Sequence, residues 1–292
     1  MKVGVIGAGR AGGSLALALG KKSAVDAGYT LQGATTSSDL TAGAASEVLG
    51  LAVGTDNAAL AREADVVVLG VPDRKIALTA LHLADELGKA PAGGVAKIFL
   101  HISGSVGTPA LRPLKEEGYS IGSLHPLQSF SKPEDKFDGV YMAVDGDEPA
   151  LEAAENLARA LGGIPFRVPP SERQLYHAAA CFCSNYVVTA VSIAEKLLER
   201  WIGEGGEALT ALLPLFNGTA DNLAAATTAR EALTGPISRG DVGTVSGHLQ
   251  VLPESLIKVY CELGLQTLEI ARENGTVERK PAEEIEAMLR RP

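Results

Sequence analysis

The sequence predicts an α/β protein whose first half forms a doubly wound sheet and whose second half is an all-α domain. Short apolar runs alternate with helical patterns up to about residue 168, and no convincing strand pattern follows Pro169-Pro170. Such alternation is typical of a parallel sheet covered by helices on both faces. The 292 residues suffice for two domains, which we place at residues 1–169 and 170–292.

The predicted strands are apolar runs of four to seven residues bounded by turn-forming residues. They cover residues 3–6, 29–35, 66–71, 97–102, 120–124, 141–144 and 164–168. Helical patterns over residues 13–20, 38–49, 58–64, 75–87 and 149–161 connect them. The run Val66–Leu69 is apolar at every position, as a strand buried on both faces requires.

The second half shows helical patterns only. We predict one long helix over residues 171–201, followed by helices at 205–217, 219–230, 242–249, 253–274 and 283–290. In helix 253–274, Leu256, Val259, Tyr260 and Leu263 share one stripe, which is suited either to the core or to a subunit interface. We expect no membrane span, because no apolar run approaches about 20 residues, and no signal peptide.

A glycine motif opens the chain. Gly7-x-Gly9-x-x-Gly12 follows strand 3–6 directly and precedes a helical pattern, which is the context that a Rossmann-type dinucleotide site requires. Gly7 permits the tight turn, Gly9 lets a pyrophosphate approach the backbone, and Gly12 lets the helix pack closely. We therefore predict that the cofactor-binding residues include Gly7, Ala8, Gly9, Arg10, Ala11 and Gly12. The alternative is a glycine-rich turn without a ligand.

The end of the second strand favours NADP over NAD. Sites for NAD usually carry an acidic residue there, but this strand ends Thr35-Thr36-Ser37-Ser38, and no acid occurs before Asp39. Hydroxyl groups can donate to a 2′-phosphate, and Arg10 can supply a fork of donors. Residues 36–38 could instead only cap the next helix, and the two roles can also hold together.

Three further residues are predicted to line the nicotinamide side, because ligands bind at the carboxyl ends of parallel strands. These residues are Val71, Pro72 and Asp73, which follow the strand at 66–71. For Asp73, the alternative is that its side chain caps the next helix.

The candidate active site combines segments that follow neighbouring strands. Ser103, Gly104 and Ser105 follow one strand and are predicted to hold a substrate carboxylate or carbonyl; the alternative is a plain turn. His125 precedes a proline at the end of the next strand. A histidine with a pKa near neutrality is the simplest proton donor for a hydride reduction, although His125 could instead bind a loop carbonyl.

The long helix and a later loop supply further candidates. His177, Cys181 and Asn185 are spaced at i, i+4 and i+8, which places them on one helical face. We predict His177 and Asn185 as catalytic residues, with packing roles as the alternative. Arg239, in the loop Thr234–Asp241, is predicted to bind an acidic substrate group, or else to pair with Asp241.

Composition excludes several classes of function. The net charge of −9 argues against a nucleic-acid partner. The three cysteines, Cys181, Cys183 and Cys261, form no zinc or disulfide pattern. We therefore expect no metal, reduced thiols and a cytoplasmic location.

The chain resembles bacterial proteins that join a Rossmann-like NADP-oxidoreductase domain to a helical domain of unknown function. The resemblance rests on the glycine motif, on Val71-Pro72-Asp73 and on Ser103-Gly104-Ser105. It rests further on residues 125–130, on His177 with Ser184-Asn185, and on residues 235–241. It implies a fold similar to pyrroline-5-carboxylate reductase, ketopantoate reductase and β-hydroxyacid dehydrogenases, and a homodimer formed through the helical domain.

The resemblance to β-hydroxyacid dehydrogenases also implies roles for single residues. Ser103 matches their substrate-binding serine, and Asn185 matches the asparagine of their Lys-x-x-x-Asn pair, but Cys181 stands in the place of the lysine. His125 or His177 would then donate the proton. The leading hypothesis is an NADP-dependent oxidoreductase that reduces a carbonyl or imine of a small acid. The alternatives are a non-catalytic NADP(H)-binding sensor and an enzyme that reduces a deazaflavin-type cofactor.

Overall fold

The computed structural model describes residues 1–91 and 97–290. The chain divides into two compact units, Met1–Val188 and Thr189–Pro292. The predicted domain boundary at 169/170 follows the last strand, which ends at Arg167. The boundary between the two compact units lies later in the chain, after Val188, so the first helix after the sheet belongs to the first unit.

The described residues form one eight-stranded sheet in the order β3-β2-β1-β4-β5-β6-β7-β8. The strands are β1 Lys2–Ile6, β2 Thr30–Thr35, β3 Val53–Gly54, β4 Val66–Leu69, β5 Ile98–His101, β6 Ser120–Pro126, β7 Tyr141–Gly146 and β8 Ile164–Arg167. Neighbouring strands are parallel except at β6 and β7, which pair antiparallel. The predicted doubly wound sheet is confirmed, with an antiparallel extension of two strands.

Helices connect the strands and then make up the rest of the chain. In the first unit they are α1 Arg10–Leu19, α2 Lys22–Asp26, α3 Asp39–Leu49, α4 Asn57–Glu63, α5 Asp73–Leu87, α6 Arg112–Glu116, α7 Glu148–Ala160 and α8 Arg173–Cys183. Helix α9, Asn185–Ile202, crosses into the second unit. That unit continues with α10 Glu207–Ala225, α11 Val242–Val251, α12 Glu254–Glu273 and α13 Arg279–Leu289.

The central strand β4 explains how the sheet is buried. Val66 and Val68 belong to the core on one face, together with residues of α1 and α7. Val67 and Leu69 belong to the core on the other face, together with residues of α5 and α6. All four side chains are buried, so the prediction of a strand covered on both faces is confirmed.

Several predicted boundaries are wrong. The helix predicted over 171–201 is interrupted at Ser184, whose backbone leaves the helical region (φ −122°, ψ −76°). The two helices predicted at 205–217 and 219–230 are one helix, α10, with Pro214 inside it. The short elements β3, α2 and α6 were not predicted, because each is five residues or fewer and carries no clear period.

The segment Pro170–Ile202 contradicts the expectation that no apolar run approaches the length of a membrane span. It spans 33 residues and has a mean hydropathy of 1.3 in its most apolar window, none of which is buried. The resemblance to a membrane span rests only on the length and the amino-acid composition of the segment. Apolar helices that pack at subunit interfaces have similar lengths and compositions. The segment is an exposed apolar surface that begins in the first unit.

The second unit has its own small core. Val245, Cys261, Leu268 and Ile285 are among its buried residues. The loop between α10 and α11 contributes Ile237 to that core. The predicted stripe is divided: Val259 and Leu263 are exposed, whereas Tyr260 packs against this core beside the buried residues Cys261, Gly264, Leu268 and Ala271 of α12.

The glycine turn after β1 is held by two close backbone approaches. The N–H groups of Gly7 and Ala8 donate to the Thr35 carbonyl at the end of β2, at 2.8 and 2.9 Å. Gly7 has a φ of +96°, and a Cβ on Gly12 would lie 2.1 Å from the Gly7 carbonyl oxygen. Gly9, in contrast, has no atom within 4 Å of the position of a Cβ. These contacts support the predicted roles of the glycines.

Replacing Gly12 with alanine tests this packing. Because the added Cβ meets backbone, the turn and α1 must separate, and we expect Gly12→Ala to lower the free energy of unfolding by about 2 kcal/mol or more. Chemical denaturation followed by circular dichroism measures the change. The control is Gly43→Ala in α3, where a Cβ meets nothing within 4 Å; it should raise stability by up to about 1 kcal/mol. Equal stability of Gly12→Ala and wild type would contradict the packing.

Candidate active site

The carboxyl ends of four parallel strands meet at one edge of the sheet. In the register of the sheet, Ile6 pairs with Leu69, Leu69 with His101 and His101 with Ser123. The glycine turn, the loop after β4, the loop after β5 and the end of β6 therefore all begin at this edge. The candidate cofactor residues and the candidate catalytic residues of the first unit are neighbours there.

The start of α1 fits a pyrophosphate. The helix has Gly9 as its N-cap, no side-chain cap and no acidic residue in its first turn. Its first N–H groups and the positive end of its dipole favour an anion. The position at Gly9 is open, so a phosphate group can reach the backbone.

The hydroxyl residues after β2 divide into two groups. The Thr35 hydroxyl is buried and donates to Asn57 Oδ1 at 2.6 Å, so it is engaged within the protein. Ser38 caps α3 and, with Thr36, forms a hydrogen-bond network with Thr41. The capping alternative is therefore confirmed for Ser38, whereas Ser37 and Arg10 are exposed at the surface.

The side chain of Asp73, in the loop after β4, does not cap the next helix, so the capping alternative is wrong. Pro72 is the N-cap of α5 and Asp73 is its first residue, with no side-chain cap. The Asp73 carboxylate instead accepts a hydrogen bond from the Ser105 hydroxyl at 2.8 Å. Asp73 therefore fixes the loop after β5, and Val71 and Pro72 border the same edge.

In the loop Ser103-Gly104-Ser105, the first two residues are buried and Ser105 is half-buried. Ser103 is 6% exposed, and its hydroxyl accepts from the Val106 N–H at 3.0 Å. Gly104 faces two histidines, because a Cβ there would lie 2.5 Å from His177 Nδ1 and 2.8 Å from His125 Nε2. The two rings therefore pack against Gly104 so closely that no larger residue fits there.

Helix α8 is fixed to this loop by two hydrogen bonds. Arg173 Nη2 donates to the Ser103 carbonyl at 2.6 Å, and Gln174 Nε2 donates to the Ser105 carbonyl at 3.0 Å. Arg173 is 1% exposed. Its Nε and Nη1 have no hydrogen-bond partner among the described residues. The site therefore contains a buried positive charge with unused donors.

His125 is bonded to a residue of the same helix. Its Nδ1 lies 2.6 Å from the Tyr176 hydroxyl, so the alternative of a bond to a loop carbonyl is wrong. Burial, then the positive charge of Arg173, lowers the pKa of His125 to about 4. Burial also raises the pKa of Tyr176 to about 12. Both groups are therefore neutral at pH 7, and the expected near-neutral pKa of His125 is not found.

A third histidine, His101, lies in the same cluster. It is fully buried at the end of β5, and its Nδ1 accepts from the Ser103 N–H at 3.2 Å. Burial, then the charge of Arg173, lowers its pKa to about 4. Its Nε2 has no partner in the described part of the chain. His101 therefore stays neutral and supports the loop.

Of the candidate residues predicted on the long helix and in the loop Thr234–Asp241, only His177 is shown beside His125. His177 lies beside His125, with ring centroids 6.1 Å apart. Asn185 begins α9 after the break at Ser184, so the spacing argument that placed it on one face with His177 and Cys181 does not hold. Arg239 is an exposed residue of the second unit, and no ion pair within the described ranges joins it to Asp241. Its pairing alternative is wrong, and its substrate role stays a prediction.

Sequence reasoning missed Arg173, Tyr176 and the buried state of His101. Arg173 and Tyr176 precede the predicted His177 on the next helix after the sheet, and an arginine one turn before a predicted site histidine was the available signal. Nothing in the sequence indicates that Tyr176 contacts His125, which precedes it by 51 residues.

Two family models match consecutive parts of the chain. Residues 1–126 match the model described as a Rossmann-like domain, and residues 140–267 match the domain of unknown function DUF2520. The predicted combination of a Rossmann-like domain with a helical domain of unknown function is confirmed. No curated protein matches the sequence.

Solved structures share the fold over nearly the whole chain. BF3122 of Bacteroides fragilis, a proposed NADP oxidoreductase, is 20% identical, with a TM-score of 0.72 and coverage of 92% of this chain and 98% of that one. Protein TM1727 of Thermotoga maritima is 23% identical, with a TM-score of 0.67 and coverage of 93% and 99%. Pyrroline carboxylate reductase of Plasmodium falciparum, solved with NADP bound, is 14% identical, with a TM-score of 0.57 and coverage of 99% and 98%. At these identities the similarity establishes the fold.

The buried histidines predict how stability depends on pH. The folded-state pKa of His101, about 4, lies below the ordinary 6.5, so the unfolded chain binds more protons between these values. The free energy of unfolding should therefore fall as the pH drops from about 6.5 to about 4, by up to about 3 kcal/mol for this residue.

Urea denaturation across this pH range measures the effect. His101→Asn keeps an acceptor for the Ser103 N–H but removes the titrating ring, so its profile should be flatter than that of wild type. His82→Asn, at an exposed position of α5, is the control and should follow the wild-type profile. Parallel profiles of His101→Asn and wild type would show that His101 is not the cause.

Proposed function

We propose that the protein is an NADP-dependent oxidoreductase that reduces the carbonyl or imine group of a small acid. One observation carries the proposal: the glycine turn and a cluster of three histidines, an arginine and a tyrosine lie at the same edge of the sheet. A dinucleotide site beside proton-transferring groups is the arrangement that hydride chemistry needs.

The cofactor would be held by the residues of the glycine turn. Backbone N–H groups at the start of α1 would bind the pyrophosphate, with Gly9 leaving room for it. Arg10 and Ser37, both exposed, together with Thr36, offer donors to a 2′-phosphate, and no acidic residue precedes Asp39. NADPH bound there supplies a hydride to the substrate carbon.

An acidic substrate fits the charge of the site. Arg173 is buried with two nitrogens unpartnered in the described structure, and no carboxylate within the described ranges forms an ion pair with it. A buried cation in this state attracts an anionic group. Ser103, Gly104 and Ser105 would orient the substrate beside it. Asn185 and Arg239 remain proposed contributors.

His125 is the proposed proton donor, with His177 beside it. His125 lies at the end of β6 and is only partly buried. Its Nε2 lies on the side of the ring that packs against Gly104, 2.8 Å from the position of a Cβ there. A neutral imidazole N–H at that position can protonate the oxygen or nitrogen of a reduced substrate.

Cofactor binding is the first test of this function. Titration followed by nucleotide fluorescence should show that NADPH binds more tightly than NADH. Arg10→Ala should weaken NADPH binding about tenfold and leave NADH binding unchanged. Arg159→Ala, which removes a surface charge on α7, is the control.

Turnover then separates an enzyme from a sensor. A panel of small keto, imino and hydroxy acids, followed by NADPH consumption or NADP⁺ reduction, should contain a substrate. Binding of neither nucleotide would end the proposal. Tight NADPH binding without turnover on any member of the panel would favour the sensor.

We also propose that the protein is a homodimer formed through its helical part. In the second unit, large apolar side chains are exposed on α10 and on α12, including Leu215, Phe216, Val259 and Leu263. Large apolar side chains exposed in this number favour an interaction site. A second copy of the chain would bury this surface. The partners we propose are therefore another subunit and, at the active site, a small-molecule substrate. We propose no nucleic-acid or membrane partner.

A charge placed on the exposed stripe of α12 tests the dimer. Leu263, which is 56% exposed, should tolerate glutamate in a monomer but not in an interface. We expect wild type to be a dimer and Leu263→Glu a folded monomer by light scattering after gel filtration. Leu78→Glu, at a position of α5 that is 53% exposed, should remain dimeric. A monomeric wild type would end this proposal.

A further inference from the structure

Tyr176 connects His125, which is partly buried, with an open cleft. Its hydroxyl lies 2.6 Å from His125 Nδ1. Its ring also borders a cleft of about 450 Å³ between β8 and α8, whose apolar lining includes Phe166 and Val168. Leu175 and Phe182, also in the lining, are 74% and 68% exposed. The cleft is therefore open to solvent in the described structure.

The chemistry of the two groups fixes the direction of their hydrogen bond. A neutral phenol is a good donor, and a bare imidazole nitrogen is a better acceptor than a phenol oxygen. Because both groups are neutral at pH 7, Tyr176 donates to His125 Nδ1. The ring proton of His125 then lies on Nε2, the nitrogen that faces Gly104.

We propose that Tyr176 and His125 form a proton relay from the cleft to the substrate. This inference rests on the proposed reduction of a carbonyl or imine. Once the substrate carbon is reduced, an electron pair is left on its oxygen or nitrogen, and that atom takes the proton of His125 Nε2. As the N–H bond breaks, Nδ1 takes the phenol proton of Tyr176, so the imidazole remains neutral.

The negative charge then rests on the Tyr176 oxygen. Arg173 lies on the same helix, and its positive charge lowers the pKa of Tyr176, opposing the effect of burial. Water in the cleft returns the proton to the phenolate. After the product leaves, proton exchange with water restores the Nε2–H form of His125. Without Tyr176, His125 would have to become an imidazolate, which is a much stronger base than a phenolate.

Removing the hydroxyl of Tyr176 tests the relay. Tyr176→Phe keeps the ring and its edge contact with Phe166, 5.8 Å between centroids, so the fold should be retained. We expect kcat for the substrate found in the panel to fall about 100-fold, with KM and NADPH affinity unchanged. Tyr141→Phe is the matched control, because Tyr141 also packs its edge on Phe166, at 6.1 Å, and no hydrogen bond within the described ranges joins it to a histidine. It should keep the wild-type kcat.

A spectroscopic readout is independent of turnover. Nitrogen-15 NMR of the imidazole groups should show wild-type His125 in the Nε2–H form and a mixture of the two tautomers in Tyr176→Phe. An Nδ1–H form in wild type would overturn the relay, as would a Tyr176→Phe enzyme with wild-type kcat. A loss of NADPH affinity as large as the loss of kcat would also overturn it, because the role would then be structural.

The relay and the proposed function fail in different ways. A wild-type protein that binds no NADPH, or reduces no acid in the panel, ends the proposed function and the relay together. An active wild type beside an equally active Tyr176→Phe ends the relay alone.

Discussion

The candidate site depends on one buried charge. Arg173 is 1% exposed and gives one of its donors to the Ser103 carbonyl. Burying a guanidinium is costly unless it is hydrogen-bonded, so this bond ties the position of α8 to the loop after β5. Tyr176 and His177 follow on the same helix and are thereby brought to His125 and Gly104. The same charge helps to keep His101 and His125 neutral.

A second constraint places the glycine turn beside that cluster: several glycines there have no room for a Cβ atom. The turn after β1 and the loop after β4 touch through Gly7, Gly12 and Gly70, where no Cβ fits. Four adjacent strands of the sheet, β1, β4, β5 and β6, run parallel. The loops that follow these strands therefore begin at the same edge. The backbone thus places a helix end that is suited to an anion beside a cluster of neutral histidines and a buried arginine, and this combination supports the proposed reductase.

Local patterns allowed most of the first unit to be predicted from the sequence. The glycine turn, the strand Val66–Leu69 and the positions of Ser103 after β5 and His125 near the end of β6 all follow from periodicity and turn chemistry. The bonds of Arg173 and Tyr176 could not be predicted, because they join residues 70 and 51 positions apart. The break at Ser184 was missed because the apolar pattern continues through it, and the pKa of His125 depends on burial that no local pattern reveals.

The most direct test of the central claim is a crystal structure of the protein with NADP⁺. If one edge of the sheet serves both cofactor and substrate, the pyrophosphate should lie on the N–H groups at the start of α1, and the nicotinamide should face Ser103 and His125. A nicotinamide turned away from this cluster, or a nucleotide bound elsewhere, would contradict the claim that these residues form a hydride-transfer site.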